Sequence, residues 1–183
     1  MLLAIDVSTT ITGFCVFDES GEPVHISNVD MTKVSDFFEK ATLIKRHLYD
    51  LKFTNNIKCV VIEESLQAFR AGSSSAKTLF KLSKFNGIIQ WLCYNDLEIP
   101  VHVLNVNTAR KLTGIKVNRK SVVNKKEQIL KQVMEQTQDK FEWPTKILKS
   151  GPRRGFEIYD KCCYDMADAY VIGKAFYLKS REE

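Results

Sequence analysis

The way hydrophobic periodicity changes along the chain constrains its fold more than any other feature. Three short apolar runs, at 2–7 (LLAIDV), 13–17 and 24–29, are separated by Ser8-Thr9-Thr10 and by Asp18-Glu19-Ser20-Gly21, the pattern of an antiparallel three-strand meander. The period then switches: Val34, Phe37, Phe38, Ala41, Ile44, Leu48 and Leu51 recur at helical spacing, with Lys40, Lys45, Arg46 and Asp50 elsewhere on the wheel. A nearly continuous apolar run at 57–62 (IKCVVI) reads as a strand covered on both faces.

Residues 73–95 predict a helix and 101–106 a short strand opened by Pro100, followed by a brief helix capped by Asn107 or Thr108 and ending near Gly114. A basic helical segment spans 119–140, with Val122, Val123, Ile129, Leu130, Val133 and Met134 as its inner face. Residues 143–155, with Pro144, Gly151 and Pro152, have a loop composition, and a last helix is expected over 161–179. A meander followed by alternating helices and strands gives an α/β fold, a mixed five-stranded sheet flanked by helices with the first strand central. With 183 residues, 44% of them apolar, and no repeat or linker, one domain over 1–183 is expected.

The five cysteines form no CxxC pair and lie near none of the three histidines, so neither a zinc site nor a disulfide framework is indicated. They read as reduced thiols of a cytosolic-type compartment. No apolar run reaches the roughly 18 residues of a membrane span, and no signal region precedes the first strand. Lys and Arg total 27 against 22 Asp and Glu, a net charge of +5. Any clustering of the acids leaves the remaining surface distinctly basic, which suits a polyanion and also many bland proteins.

Asp6 is the residue hardest to accommodate, because a carboxylate on an apolar strand is costly unless it is paired or binds a metal. The proposed sheet places Glu63 at the same end of a neighbouring parallel strand. Asp165 and Asp168, three apart on the last helix, share a face that continues through Ile172 and Ala175. Four such carboxylates suit Mg²⁺, which prefers oxygen ligands, and two ions about 4 Å apart support in-line displacement at phosphorus. The bland alternative is that one of the helix pair caps the N-terminus and the other faces water. Alternation along the strand leaves Glu64 on the opposite face, as surface or support.

The segments AIDVSTTITGF at 4–14, VVIEESL at 60–66 and DMADAY at 165–170 resemble, in order, the three acidic motifs of RuvC-type Holliday junction resolvases. NTARKLTG at 107–114 and NKKEQI at 124–129 are similar to that family's basic segment. The resemblance implies a ribonuclease-H-like fold and a homodimer that cuts four-way DNA junctions symmetrically, in recombination and repair. It also implies two Mg²⁺ per site, replaceable by Mn²⁺, held by Asp6, Glu63, Asp165 and Asp168. Arg110, Lys111, Lys125 and Lys126 match the family's basic positions, and Leu66 and Phe69 stand near the place of its aromatic wedge.

The chain departs from the family in its DVSTT turn, where many resolvases have Pro-Gly after the Asp. Residues 142–160 have no counterpart; Lys146, Lys149, Arg153 and Arg154 there are either phosphate contacts or a solvated basic loop. Helix 73–95 is the expected dimer interface, through Phe80, Phe85, Ile88, Trp91 and Leu92, with core packing as the competing explanation. Three rival readings compete: an RNA-processing nuclease of YqgF type, which stays open; a non-catalytic branched-DNA binder, against which the presence of all four acids argues; and an actin-like or sugar-kinase ATPase. The last shares the DxSTT turn but needs two domains and a longer chain.

Overall fold

The computed structural model describes residues 1–64 and 76–181. A single five-stranded sheet has the order β3-β2-β1-β4-β5, formed by β1 (Leu2–Asp6), β2 (Ile11–Phe17), β3 (Pro23–Asp30), β4 (Cys59–Glu63) and β5 (Val101–Leu104). β1 is central, antiparallel to β2 and parallel to β4, and β4 is parallel to β5. The expected meander and the mixed sheet are both present.

Alternation along the strands sorts the core into two layers. Leu3, Ile5, Val60 and Ile62 pack on one side against α1 (Phe37–Asn55) and α2 (Ala76–Trp91). Leu2, Ala4 and Val61 face the other side, where α3 (Val106–Leu112), α4 (Lys125–Gln136) and α5 (Cys162–Lys179) lie. Asp6 and Glu63 have the parity of this second layer and therefore look toward α5.

α5 comes unusually close to the sheet. Gly13 pairs with Asp6 across β1 and β2, and a Cβ added there would fall 2.1 Å from the Asp165 carbonyl oxygen. No side chain fits in that gap, so glycine sets how near the helix start can approach. The inner face of α5 is correspondingly apolar, with Ile172 and Ala175 fully buried as expected.

Several local expectations give way to tertiary context. α1 starts at Phe37, capped by the Asp36 side chain, rather than at 34. Lys40, placed on its outer face by periodicity, is buried and donates to the Thr9 carbonyl at 2.5 Å, fixing the turn after β1. α2 passes into a π-helical turn at Leu92–Asp96. Phe85 is a core residue, whereas Phe80 and Trp91 are exposed, so only part of the expected interface face is outward.

α3 is capped by Asn105, not by Asn107 or Thr108. The basic segment is helical only over Lys125–Gln136, because Asn124 accepts from the Glu127 N–H and caps α4 there. Val122 is consequently fully exposed instead of forming an inner face. The expected loop at 143–155 contains the first strand of a hairpin, β6 (Thr145–Ile147) with β7 (Glu157–Tyr159). All five cysteines are free. Among the described residues no helix is long and apolar enough to cross a membrane.

Candidate active site

β1 and β4 run parallel with Ile5 opposite Ile62, so the next residues, Asp6 and Glu63, end adjacent strands side by side. The first turns of α5 lay Asp165 and Asp168 over that edge, each side chain only 14% exposed. The four acids thus come from three elements that meet because β1 is central and Gly13 admits α5.

Their mutual influence is visible in their proton affinities. Burial, then the charges of Asp168, Glu63 and Asp165, push the Asp6 carboxyl well above the usual range, and Lys126 acts against them. Burial and Asp168 raise Glu63 to about 7, opposed by Arg110, by a side-chain hydrogen bond with Asp6 and by Lys125. Burial also raises Asp165 and Asp168, against the pull of Lys126 on the first and of Arg110 and Lys126 on the second. Crowded acids with elevated proton affinity are what uncompensated negative charge in a partly dry site produces.

The cations expected to meet DNA stand directly over these acids. Arg110, on α3, reaches Asp168 Oδ1 from Nη2 at 3.4 Å, and its buried Nε has no partner among the described residues. Lys126 Nζ is 3.4 Å from Asp165 Oδ1. Burial opposes the Lys126 charge, yet Asp165, Asp168 and Asp6 hold its proton more tightly than usual. Lys125 is shifted the other way, by burial and by the nearby Arg110 charge. Arg110, Lys125 and Lys126 therefore join the acids in one cluster, whereas Lys111 is exposed at the end of α3. Leu66 and Phe69 lie outside the described residues.

Among solved structures, Thermus thermophilus RuvC in complex with a Holliday junction substrate is similar to this chain, with a TM-score of 0.66 and 16% identity over 99% of this chain and 94% of that one. The fold is that of RuvC. A second T. thermophilus RuvC structure gives a TM-score of 0.61 at 17% identity, covering 99% and 95%. The yeast mitochondrial Holliday junction resolvase Ydc2 gives 0.61 at 16%, covering 99% and 79%. No family model and no curated protein matches the sequence.

Within this RuvC fold the fit of a divalent cation is testable on the acids themselves. Among the described residues no three His, Cys, Asp or Glu side chains are set at metal-binding geometry. Asp165 and Asp168 are paired to Lys126 and Arg110 instead. The donor set still fits Mg²⁺, because all four groups offer oxygen and their raised proton affinities mark negative charge that a divalent ion would neutralise.

Two residues of this site escape a reading of the sequence. Asn86 of α2, 3% exposed, donates from Nδ2 to the Glu63 carbonyl at 3.0 Å while its Oδ1 accepts from Gln90. It ties the end of β4 to the opposite helix layer, and its one signal is a polar residue between Phe85 and the buried Ile89. Gly13 offers no signal beyond being a glycine within a strand.

Proposed function

We propose that this chain is a divalent-cation-dependent endonuclease that cuts branched DNA, four-way junctions foremost, by hydrolysing phosphodiester bonds at Asp6, Glu63, Asp165 and Asp168. The observation that carries this reading is the convergence of those four acids under Arg110, Lys125 and Lys126. The likeness to a RuvC bound to junction DNA points to the same class of substrate.

Asp6, Glu63, Asp165 and Asp168 would hold the divalent cation, which would supply water activation and charge stabilisation at the leaving oxygen. The protein's own part is to place charge. Asp6 and Glu63 are held by strand pairing on a rigid sheet edge, and Asp165 and Asp168 by a helix pinned against that sheet. Arg110, Lys125 and Lys126 lie where a phosphodiester entering the cluster meets positive charge before negative, and each such contact adds nearly one unit to the salt dependence of binding.

Two symmetric cuts call for two copies of the chain related by a two-fold. The outer face of α2 and the turn after it present Phe80, Trp91 and Tyr94, exposed by 67%, 58% and 65%, more apolar surface than a monomer needs. A second copy of the chain is the proposed occupant.

The test is a panel of four-way, three-way, flap and linear DNA with matched single-stranded and double-stranded RNA, each with Mg²⁺. Paired nicks at the four-way junction are expected. Cleavage of RNA with branched DNA left intact would replace this reading by an RNA-processing one, and binding without cleavage by a structural one.

A further inference from the structure

The hairpin β6–β7 takes no part in the acidic cluster, yet it is built rigidly. Its ladder continues past the strands through Leu148 N–H to the Phe156 carbonyl at 3.0 Å and Gly155 N–H to the Leu148 carbonyl at 2.9 Å. The tip is closed by Arg154 N–H to the Gly151 carbonyl at 3.0 Å, with Gly151 and Gly155 at φ of 81° and 86°. At the base, Asp160 N–H donates to the Pro144 carbonyl at 2.8 Å and Lys146 pairs with Asp160 at 3.1 Å. Trp143, 9% exposed, anchors the base in the core beside α5.

The composition of this tip is unlike that of a solvated loop. Lys149, Arg153 and Arg154 are exposed, and among the described residues none has a carboxylate within ion-pair distance. Beside them Ile147 and Phe156 are 65% and 63% exposed. Unpaired cations next to an open aromatic suit a ligand that alternates anionic phosphate with flat or apolar surface, as a nucleic acid strand does. The one carboxylate within the hairpin strands, Glu157, is held by the Thr145 hydroxyl at 2.5 Å.

Position supplies the last step. A groove of about 370 Å³ lies between hairpin and helices, lined by Arg153, Glu157 and Tyr159 on one side and by Asn124, Tyr164 and the paired Glu127 and Lys131 on the other. Tyr164, one of these lining residues, carries Lys126 Nζ 5.9 Å over its ring, and Lys126 is paired with Asp165 at 3.4 Å. The groove therefore runs between the hairpin that carries Arg153 and the helices α4 and α5, whose Lys126 and Asp165 belong to the acidic cluster. We propose that the hairpin is a second DNA-gripping arm, in which Lys149, Arg153 and Arg154 bind backbone phosphates of the duplex arm flanking the cut and Phe156 packs on its sugars or bases. This rests on the nuclease reading of the acidic cluster.

The experiment measures binding of a labelled four-way junction by fluorescence anisotropy in EDTA, where no cleavage occurs, across a range of NaCl concentrations. The triple variant Lys149→Ala/Arg153→Ala/Arg154→Ala is expected to keep the wild-type melting temperature. Its slope of log affinity against log salt should become shallower by about 2 to 3 units, at nearly one unit per phosphate lost. Phe156→Ala, a charge-neutral change, should weaken binding about tenfold at fixed salt with the slope unchanged. Wild-type slope and affinity in both variants, while the wild-type protein binds and cuts junctions, would overturn the arm and leave the nuclease intact. Retention of the hairpin on polyglutamate with an unchanged DNA slope would overturn it in favour of an acidic protein partner. A wild-type chain that binds no DNA would overturn both proposals.

Discussion

At Asp6 the protein places a carboxyl where its own packing disfavours charge. Burial and three neighbouring acids raise its proton affinity, and Lys126 offsets them in part. Asp6→Asn should therefore raise the stability of the metal-free protein by about 1–2 kcal/mol, the scale of a relieved buried polar penalty, while abolishing cleavage. Thermal melting in EDTA checks the first half. The pH dependence has a definite sign. Glu63 titrates near 7 in the folded chain, above its ordinary 4.5, so the folded state holds more protons than the unfolded state between those values. Its stabilisation is complete below about 4.5 and is lost as pH rises through about 7. The metal-free protein should lose stability over that window, and Mg²⁺ should raise the melting temperature more at pH 8 than at pH 5.5. Equal shifts at the two pH values would place Mg²⁺ binding elsewhere. Arg110 holds down both Asp168 and Glu63. Arg110→Ala should therefore move the acid limb of the pH–rate profile to higher pH as well as slowing cleavage, whereas loss of a mere DNA contact would leave that limb in place.

Among the elements, α5 and the sheet are most tightly matched, and Gly13 is the hinge of that match. Gly13→Ala forces the helix start away from β2, since the new Cβ would meet the Asp165 backbone at 2.1 Å. A loss of about 1–3 kcal/mol is expected, as for overpacking elsewhere, read as a lower urea midpoint together with slower cleavage. Elements with strong periodicity were legible: the meander, α1, β4 and α5 lie within a few residues of where their apolar spacing puts them. The hairpin was not, because three-residue strands are too short to display alternation and Pro144, Gly151 and Pro152 give their surroundings the composition of a loop. The start of α4 was misplaced because Arg119 and Lys120 extend its basic character backwards, while the cap that stops the helix is a single Asn124. That the four acids lie together was readable from strand parity, helix spacing and the resemblance that orders their motifs. That Arg110 and Lys126 pair with them was not, since both cations come from helices whose docking depends on the whole second layer of the core.

For the whole molecule, a basic surface surrounds an acidic centre: the net charge is +5 even with four acids gathered at one sheet edge. In the proposed reading, a divalent cation at the centre would make a long-range field that attracts DNA compatible with a local one that repels it. The apolar outer face of α2 bears on the same scale. Trp91→Glu should convert a sedimenting dimer to a monomer and reduce paired nicking, and a wild-type monomer at micromolar concentration would contradict the two-copy arrangement. The central claim is tested most directly by cleavage of a synthetic four-way junction as Mg²⁺ is titrated, with wild-type protein and Asp6→Asn side by side. Metal-dependent cutting by the wild type, with none by a variant that binds the junction equally well, is the predicted result. Undiminished cleavage by Asp6→Asn would contradict it.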